Sequence, residues 1–220
     1  MKDELSENMR AGRPRSNKRP RSDEHREWHS RGYLPHFDRP GKVQMITFRL
    51  ADALPGDVVE FLRQLELKIK NRIDLNKRKR RKVEACLDQG YGSCTLRDEA
   101  VATLVENSLL HFDHQRYRLL AWVIMPNHVH ALVEIWSGFP LENVLHSWKS
   151  YTSHKANRLL NRSGQYWQEE YFDRFIRNQR HYHNAVRYIQ MNPVKAGLVN
   201  APEAWPFSSA ARRSAGVPPA

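Results

Sequence analysis

Two histidines separated by a single residue are the first candidates for chemistry in this chain. His128 and His130 lie in an apolar run, HVHALVEIW, that has the character of a strand. Because side chains alternate across a strand, both imidazoles are expected on one face, with Val129 on the other. Two imidazoles so placed can share one divalent metal ion. A His-x-His pattern also arises by chance, and taken alone it more often marks surface or hydrogen-bonded histidines.

A tyrosine and an asparagine form a second candidate pair. Tyr188 and Asn192 are four residues apart in a predicted helix, so they share one face, one turn apart. A phenol and an amide oxygen there could meet the His pair if the helix packs across the sheet. Taken alone, the pair has a simpler interpretation, in which Tyr188 is a buried core residue and Asn192 ends the helix before Pro193.

The spacing of apolar residues along the chain alternates between that of strands and that of helices, and these elements must position the candidate residues. Period-two, β-branched runs predict four strands, at Val43–Leu50, Tyr117–Met125, His128–Trp136 and Tyr171–Ile176. Apolar residues at helical spacing predict four helices, from Pro55 to about Ile73, over Asp98–Phe112, over Leu141–Leu159, and over His181–Met191 with an end at Asn192-Pro193. This order predicts an α+β fold, a ferredoxin-like antiparallel sheet with helices on one face and a C-terminal helix that carries Tyr188.

Charge narrows the class of partner. The 220 residues include 36 Lys and Arg against 24 Asp and Glu, a net charge of +12, which favours a polyanion such as nucleic acid or an anionic membrane surface. No apolar run approaches the roughly 18 residues of a membrane helix, and the N-terminus lacks a signal-peptide core. We therefore expect no membrane partner and a cytoplasmic protein. The two cysteines exclude a disulfide framework and a zinc finger, and the lack of a Gly-rich phosphate loop argues against nucleotide hydrolysis.

Composition divides the chain into three parts. Residues 1–30 are predicted to be a disordered basic arm, either a solubilising tail or an arm that tracks DNA. Residues 31–210 form the folded domain, and residues 211–220 are a flexible Pro- and Ala-rich tail. The unbroken basic run Lys77–Lys82 is predicted to be a solvated loop with nonspecific affinity for phosphate.

Taken together, these residues resemble a known family. The segment MPNHVHALVE (Met125–Glu134) resembles the His-hydrophobic-His (HUH) signature of single-tyrosine, or Y1, transposases of the IS200 type. The later segments SWKSYTSHKANRLL, YWQEEYFDRFIRN, RYIQMNPVKAGLV and AWPFSSA resemble the REP-associated tyrosine transposases, a domesticated branch of that group. The similarity extends in order from about Tyr33 to Ala210, and the combined string is far more specific than any of its parts.

The resemblance implies a metal-dependent endonuclease and strand transferase that acts on single-stranded DNA at REP-like hairpins. It assigns the nucleophile to Tyr188 and the metal ligands to His128, His130 and Asn192. In the IS200 relatives the third ligand is a glutamine, and this chain has the shorter asparagine, Asn192, at that position. Mg²⁺ or Mn²⁺ is the expected cofactor, although Zn²⁺ also binds a His pair. Some relatives exchange the tyrosine helix in a dimer; a monomer is weakly favoured here.

Other tyrosines compete for the role of nucleophile. Tyr166 and Tyr171 are nearby in sequence, and Tyr182 is on the same predicted helix. Tyr182 is six residues from Tyr188, about 240° around a helix, so the two cannot both face the His pair.

The implied reaction explains why a tyrosine is used. A phenol has an ordinary pKa near 10 and is a poor nucleophile at neutral pH, so a bound divalent ion would have to polarise the phosphate. Attack by Tyr188 would leave a 5′-phosphotyrosine and a free 3′-OH. The covalent bond preserves the energy of the phosphodiester, so a second 3′-OH can reverse the step without ATP.

Cationic and aromatic residues interleave around the third helix and the fourth strand, a mixture that suits single strands and hairpin ends. The candidates for DNA binding are Trp148, Lys149, Tyr151, Trp167, Gln168, Arg174 and Arg177. The competing interpretation makes Trp148 and Trp167 core anchors, and Arg174 and Arg177 a solvated face.

Two other classes of protein remain as alternatives. One is a catalytically inactive regulator that binds DNA hairpins in a sequence-specific way. The other is a basic RNA-binding protein on the same kind of sheet, which should carry an RNP-like aromatic motif, and this sequence has none.

Overall fold

The structure, a computed structural model, describes residues 28–30, 35–37, 39–69 and 71–214. The predicted basic arm lies outside these ranges except for Trp28–Ser30, which form a short strand, β1, paired with β2 (Pro35–Phe37). Part of the predicted C-terminal tail also has regular structure, because residues 211–214 belong to a helix; residues 215–220 lie outside the described ranges.

A four-stranded antiparallel sheet forms the centre of the fold. Its strands are β3 (Val43–Arg49), β4 (Tyr117–Ile124), β5 (His128–Ile135) and β6 (Phe172–Phe175), in the spatial order β4-β5-β3-β6. β4 and β5 form a hairpin closed by residues 125–127, and β5 also pairs with β3. The predicted mixed fold with an antiparallel sheet is confirmed, and all four predicted strands lie in this sheet.

Six α-helices surround the sheet within the described residues. They are α1 (Gly56–Lys68), α2 (Arg72–Asp88), α3 (Glu99–Leu110), α4 (Leu141–Leu159), α5 (Gln179–Lys195) and α6 (Ser209–Ser214), with short 3₁₀ turns at Thr95–Arg97 and Pro202–Ala204. Helix α3 begins after Asp98, whose carboxylate accepts the N–H groups of Ala100 and Val101, and α5 begins after Asn178, whose side chain accepts the N–H of His181. These caps satisfy donors that a helix start leaves unpaired.

The two faces of the sheet are covered by different helices. Val129, Ala131 and Val133 of β5 belong to a large apolar cluster with residues of α3 and α4, such as Val105 and Trp148. On the opposite face, Leu132 of β5 and Val123 of β4 pack with Ala185 and Ile189 of α5. Because β5 alternates, the face of Leu132 is also the face of His128 and His130.

The first predicted helix is too long, and the segment after it is not the predicted loop. The chain leaves the helix at Ile69, which has extended backbone angles, and α2 begins after Asn71, whose side-chain oxygen accepts the Asp74 N–H as a helix cap. The basic run Lys77–Lys82 is therefore part of a helix. Lys and Arg are good helix formers, so charge alone does not indicate a loop.

Helix α5 also extends beyond its predicted end. It continues through Pro193 to Lys195, and the Ala196 N–H still bonds to the Asn192 carbonyl. A proline in the last turn removes only one hydrogen bond, the one from its missing N–H, so its cost there is smaller than in the middle of a helix. The extra turn brings Lys195 onto the same side of the helix as Tyr188 and Asn192.

Candidate active site

His130 is positioned from the neighbouring strand. The register of β3 and β5 places Thr47 directly opposite His130, and facing residues of an antiparallel pair have their side chains close together. The Thr47 hydroxyl lies 2.7 Å from His130 Nδ1. A hydroxyl can donate or accept, so His130 can hold its proton on either ring nitrogen.

His128 is held by the residue before it. Its Nδ1 lies 2.7 Å from Asn127 Oδ1, and Asn127 Nδ2 donates to the Tyr91 carbonyl at 2.9 Å. The bond to Tyr91 defines which end of the amide is the oxygen, so His128 Nδ1 must carry the proton. The lone pair of His128 Nε2 is therefore available to a ligand.

The loop that supplies the Tyr91 carbonyl is held tightly against Asp52. Gly92 has φ +87°, and a Cβ atom there would lie 2.5 Å from the Asp52 carbonyl oxygen. The Asp52 carboxylate accepts the Ser93 N–H at 2.9 Å. Only glycine fits both the backbone angle and the close approach. Gly92 therefore contributes indirectly to the orientation of Asn127 and His128.

The two imidazoles face each other in a fully buried position. His128 Nε2 and His130 Nε2 are 3.1 Å apart, and the exposed fractions of the two residues are 0 % and 1 %. Burial lowers the pKa of His130 to about 3, and burial followed by the neighbouring His130 lowers the pKa of His128 well below its usual value. Both rings are therefore neutral, the form in which histidine binds metal ions.

Helix α5 brings the second candidate pair to the first. Asn192 is buried, and its Nδ2 lies 3.4 Å from His130 Nε2. The Tyr188 ring lies one turn earlier, with its centroid 5.3 Å from that of His130. The expectation that this helix crosses the sheet above the His pair matches the geometry, and four residues from two elements meet at one point. Their catalytic and metal-binding roles stay a prediction.

These residues fit a divalent cation. The buried Asn192 Oδ1 has no hydrogen-bond partner among the residues that the structure describes. Turning the amide over would direct this oxygen to the side of His130 Nε2, which lies 3.1 Å from the lone pair of His128 Nε2. No cluster of three His, Cys, Asp or Glu side chains exists in the described ranges, so a metal here would have two imidazoles and an amide as its protein ligands.

The Tyr188 hydroxyl is the other buried polar atom of the site without a hydrogen-bond partner in the described part of the chain. Its pKa is raised above the usual range, first by burial and then by Glu84 and Asp88, two carboxylates at the end of α2. The Asn192 side chain, one turn later, acts on the hydroxyl in the opposite sense and lowers its pKa, so the neutral phenol lies near this amide. A ligand must still reach it.

The three other tyrosines considered as the nucleophile have no ring contact with the His pair. Tyr166 and Tyr171 are buried in the cluster on the α3 and α4 face, and the Tyr166 hydroxyl lies 3.0 Å from that of Thr95. Tyr182 packs against the α5 cluster two turns before Tyr188, with its ring next to His183. Among the tyrosines of the described ranges, Tyr188 is the one with a ring contact to the His pair.

Two of the residues predicted to bind DNA are core residues in this structure. Trp148 and Trp167 are 2 % and 3 % exposed, with ring N–H groups that donate to the Tyr117 hydroxyl and the Thr152 hydroxyl. Neither ring is available to a DNA base, and the competing interpretation of core anchors describes their positions.

Lys149 and Gln168 form an internal tie between α4 and the segment before β6. The Lys149 ammonium donates to the carbonyls of Gln168 and Glu169, both at 2.7 Å. Burial lowers the pKa of Lys149 from its usual value to about 8. The lysine therefore holds two backbone segments together, and its cationic head is not free for phosphate.

The remaining predicted DNA contacts are exposed but lie apart. Tyr151 is 51 % exposed and lines a groove with Arg116 and Phe139 near the far end of β5 from the His pair. Arg174 is opposite Met45 in the sheet register, on the face of α5 and the His pair, and Arg177 comes three residues later with its guanidinium 5.4 Å from the Phe175 ring.

Several residues around the site were missed by the sequence interpretation. Asn127 had a local signal, since it is the turn residue directly before His128. Thr47 had none, because it comes from a strand 83 positions away. The acidic end of α2, with Glu84 and Asp88, and the cation Lys195 were also missed as neighbours of Tyr188.

Comparison with known proteins finds similarity to one family of transposases. The sequence model of the family described as "Transposase IS200 like" matches residues 95–192, a range that extends from the turn before α3 to Asn192. A REP-associated tyrosine transposase of Escherichia coli (strain K12) is 29 % identical over 93 residues, 42 % of this chain and 54 % of that protein. A putative REP-associated tyrosine transposase of Haemophilus influenzae is 26 % identical over 107 residues, 44 % of this chain and 61 % of that protein.

A solved structure supports the fold. The structure of a REP-associated tyrosine transposase bound to a REP hairpin matches with a TM-score of 0.55 and 21 % identity, and the match covers 84 % of this chain and 86 % of that one. The match to the two curated relatives spans a little over half of their lengths. The family resemblance inferred from the sequence is confirmed. Among the helices that the structure describes, none has the length and apolar character needed to cross a bilayer.

Proposed function

We propose that this chain, which carries an IS200-like transposase domain, is a metal-dependent endonuclease and strand transferase for single-stranded DNA. Its substrate would be a REP-like hairpin with flanking single strand, and its covalent intermediate a 5′-phosphotyrosine at Tyr188. The observation that carries the proposal is the convergence of His128, His130, Asn192 and Tyr188 at one buried point of a single chain.

The chain's own residues would perform the transfer by position. Tyr188 is placed by α5 with its ring centroid 5.3 Å from that of His130. Its oxygen would form a bond to phosphorus while the P–O3′ bond breaks. The phenol loses one proton and the leaving 3′ oxygen gains one, so the step is balanced. The phosphotyrosine retains the energy of the original bond, so another 3′-OH can reverse the step.

His128, His130 and Asn192 would hold a divalent ion, Mg²⁺ or Mn²⁺. When bound, such an ion would polarise the scissile phosphate and neutralise negative charge as it develops. Asn127 and Thr47 would maintain the ring orientations of the two histidines, a role in which outer partners commonly influence metal affinity.

Exposed cations near the site are the proposed contacts with the DNA backbone. Arg174 lies on the face of the His pair, and its pKa is lowered by partial burial and by the neighbouring Arg80 and Arg177. These guanidinium groups repel one another, Glu84 offsets part of the repulsion by pairing with Arg80, and a set of cations of this kind favours an anion such as phosphate. Tyr151 is a proposed stacking partner for a more distant base. Since Tyr188 and the His pair belong to one chain, we propose that a monomer is sufficient for cleavage.

The alternative, a regulator that binds hairpins without cleaving them, has less support. Such a protein has no need for a buried tyrosine hydroxyl beside two neutral histidines. A regulator would bind the hairpin equally well in EDTA and after a His128→Ala substitution.

The experiment is a covalent-adduct assay. Purified protein is incubated with a labelled hairpin oligonucleotide and Mn²⁺ or Mg²⁺, and adducts that survive SDS are separated and mapped by mass spectrometry. We expect an adduct at Tyr188, and none in EDTA, with Tyr188→Phe, or with His128→Ala. Hairpins from the DNA that flanks the gene should be tested as a panel.

Tyr182→Phe is the matched control, because it removes the same atom from the same helix at a position without contact to His130. It should retain the full rate. A Tyr188→Phe variant that still forms the adduct would contradict the assigned nucleophile. Hairpin binding without an adduct under any metal condition would favour the regulator.

A further inference from the structure

The end of α2 lies beside the candidate site, because Asp88 at this end pairs with Lys195 of α5. The Tyr188 hydroxyl is buried, and the charged residues nearest to it in electrostatic influence are Glu84, Asp88 and Arg80, all on α2. A DNA phosphate has to approach this hydroxyl to react. Some element must therefore move before the proposed reaction can begin, and α2 is the element that carries these neighbours.

Two rows of side chains come near each other here and are joined by one ion pair, Lys195–Asp88, while Arg80 and Glu84 pair with each other along α2. Arg80, Glu84 and Asp88 are spaced by four residues on α2, and Tyr188, Asn192 and Lys195 are spaced by four and three residues on α5. Each set therefore occupies one side of its helix. Lys195 and Asp88 form an ion pair across the contact, in which the Asp88 side chain is 18 % exposed.

The Lys195 side chain lies close to Tyr188. Its ammonium lies 5.9 Å from the centre of the Tyr188 ring. A phosphate bound between Tyr188 and the His pair would lie within reach of this ammonium, and a carboxylate and a phosphate are the two anions that a lysine binds in the same way.

We propose that Lys195 binds the DNA phosphate beside Tyr188, and that Asp88 occupies Lys195 in the DNA-free protein as a substitute for that phosphate. The end of α2 then acts as a latch that keeps the tyrosine covered until DNA displaces it. This inference rests on the function proposed above and adds to it a phosphate-binding residue and an autoinhibitory contact.

The inner side of α2 is anchored in the core and its outer side is basic, so the proposed opening is a release of the Asp88 end and not a movement of the whole helix. Val83, Cys86 and Leu87 hold the helix to the apolar core, while Lys77, Arg78, Arg81 and Lys82 point to solvent. A DNA strand would attract this basic surface at the same time as its phosphate competes with Asp88 for Lys195. Attraction of the exposed side and loss of the inner ion pair both favour opening.

Opposite effects of two substitutions test the proposal in the adduct assay. Asp88→Asn should raise the rate of adduct formation about 2- to 5-fold, the scale of a partly exposed ion pair. Lys195→Met should lower it about 10- to 100-fold, the scale of a hydrogen bond to a charged group, and Lys195→Arg should restore most of the rate. Asp74→Asn, which breaks the exposed pair with Arg78 at the other end of α2, is the matched control and should have no effect.

A purely structural ion pair predicts a different pattern. If Lys195 only anchors α2, removing either partner breaks the same contact, and Asp88→Asn and Lys195→Met should change the rate in the same direction. That result, or an unchanged rate in both variants, would overturn the proposal.

A measurement without DNA separates this inference from the proposed function. Acetylation of tyrosines by N-acetylimidazole is mapped by mass spectrometry, with exposed Tyr151 and buried Tyr117 as internal references. Tyr188 should react about 2- to 5-fold faster in Asp88→Asn than in the unmodified chain or in Asp74→Asn, while Tyr117 stays protected. Equal rates at Tyr188 would refute the latch even if the adduct assay succeeds. A chain that never forms an adduct but shows the faster acetylation would keep the latch and lose the proposed function.

Discussion

The aromatic cluster on one face of strand β5 and the candidate site on the other face use buried polar groups in opposite ways. On the face of α3 and α4, Tyr117 donates to the Leu109 carbonyl and accepts from Trp148, and Trp167 donates to Thr152. On the face of α5, Tyr188 and Asn192 each hold a buried oxygen without a partner in the described ranges. Because the side chains of β5 alternate between the two faces, consecutive residues of this strand face different environments.

This difference indicates which buried polar groups stabilise the fold and which ones belong to a candidate binding site. A buried polar group with a partner contributes modestly to folding, whereas one without a partner costs free energy and needs another explanation. A site awaiting a ligand is such an explanation. The aromatic cluster around Trp148 is therefore the stable support, and the opposite face carries a cost that a metal ion and a phosphate would offset.

The same substitution on the two faces should give the clearest contrast. Tyr117→Phe leaves the Trp148 N–H without its acceptor in the core and should lower the free energy of unfolding by about 1–3 kcal/mol. Tyr188→Phe removes a hydroxyl that has no partner in the described ranges and should leave stability unchanged or slightly higher. Urea unfolding followed by circular dichroism measures both. A comparable loss in the two variants would show that the faces do not differ in this way.

Two threonines extend the comparison to metal binding. Thr47→Val removes the support of His130 Nδ1 and should weaken Mn²⁺ binding about tenfold in calorimetric titrations, the lower end of the effect of an outer partner. Thr152→Val removes the acceptor of Trp167 and should destabilise the fold while the Mn²⁺ affinity stays unchanged. Weaker metal binding in both variants would indicate a general loss of structure.

The smallest expected effect concerns Lys149. Burial lowers its pKa from the usual value of 10.5 to about 8, so between these pH values the unfolded chain binds more protons than the folded one. Stability should therefore rise with pH from about 8 to 10, by about 1 kcal/mol relative to a Lys149→Met variant. Lys155→Met, at an exposed position of the same helix, should keep the rise. A difference that is flat across this interval would show that the ammonium is not buried as described.

Much of the fold can be predicted from local patterns. The four strands and the long helix α4 were predicted near their observed bounds, because alternation and helical periodicity are local properties of a sequence. The break between α1 and α2 was not predicted, since the apolar period continues across it and the cap at Asn71 is a weaker signal than the period. Trp148 and Trp167 illustrate the same limit, because composition cannot tell a core aromatic from a stacking one.

The candidate site also contains residues that local patterns predict and residues that they do not. His128, His130, Tyr188 and Asn192 could be chosen from the sequence, since strand alternation and helix spacing each place two of them on one side of an element. Their roles came from the resemblance to a family and not from the spacing.

The surroundings of these four residues could not be chosen in the same way. The hydroxyl of Thr47 is brought to His130 by the register of two strands, and Asp88 is brought to Lys195 from 107 positions away by the packing of two helices. Contacts of this kind depend on how separate elements pack in space, and no local pattern of residues encodes them. Local sequence patterns are therefore enough to select the candidate reacting groups, whereas the packing of the chain decides which groups orient them and which charged residues lie beside them.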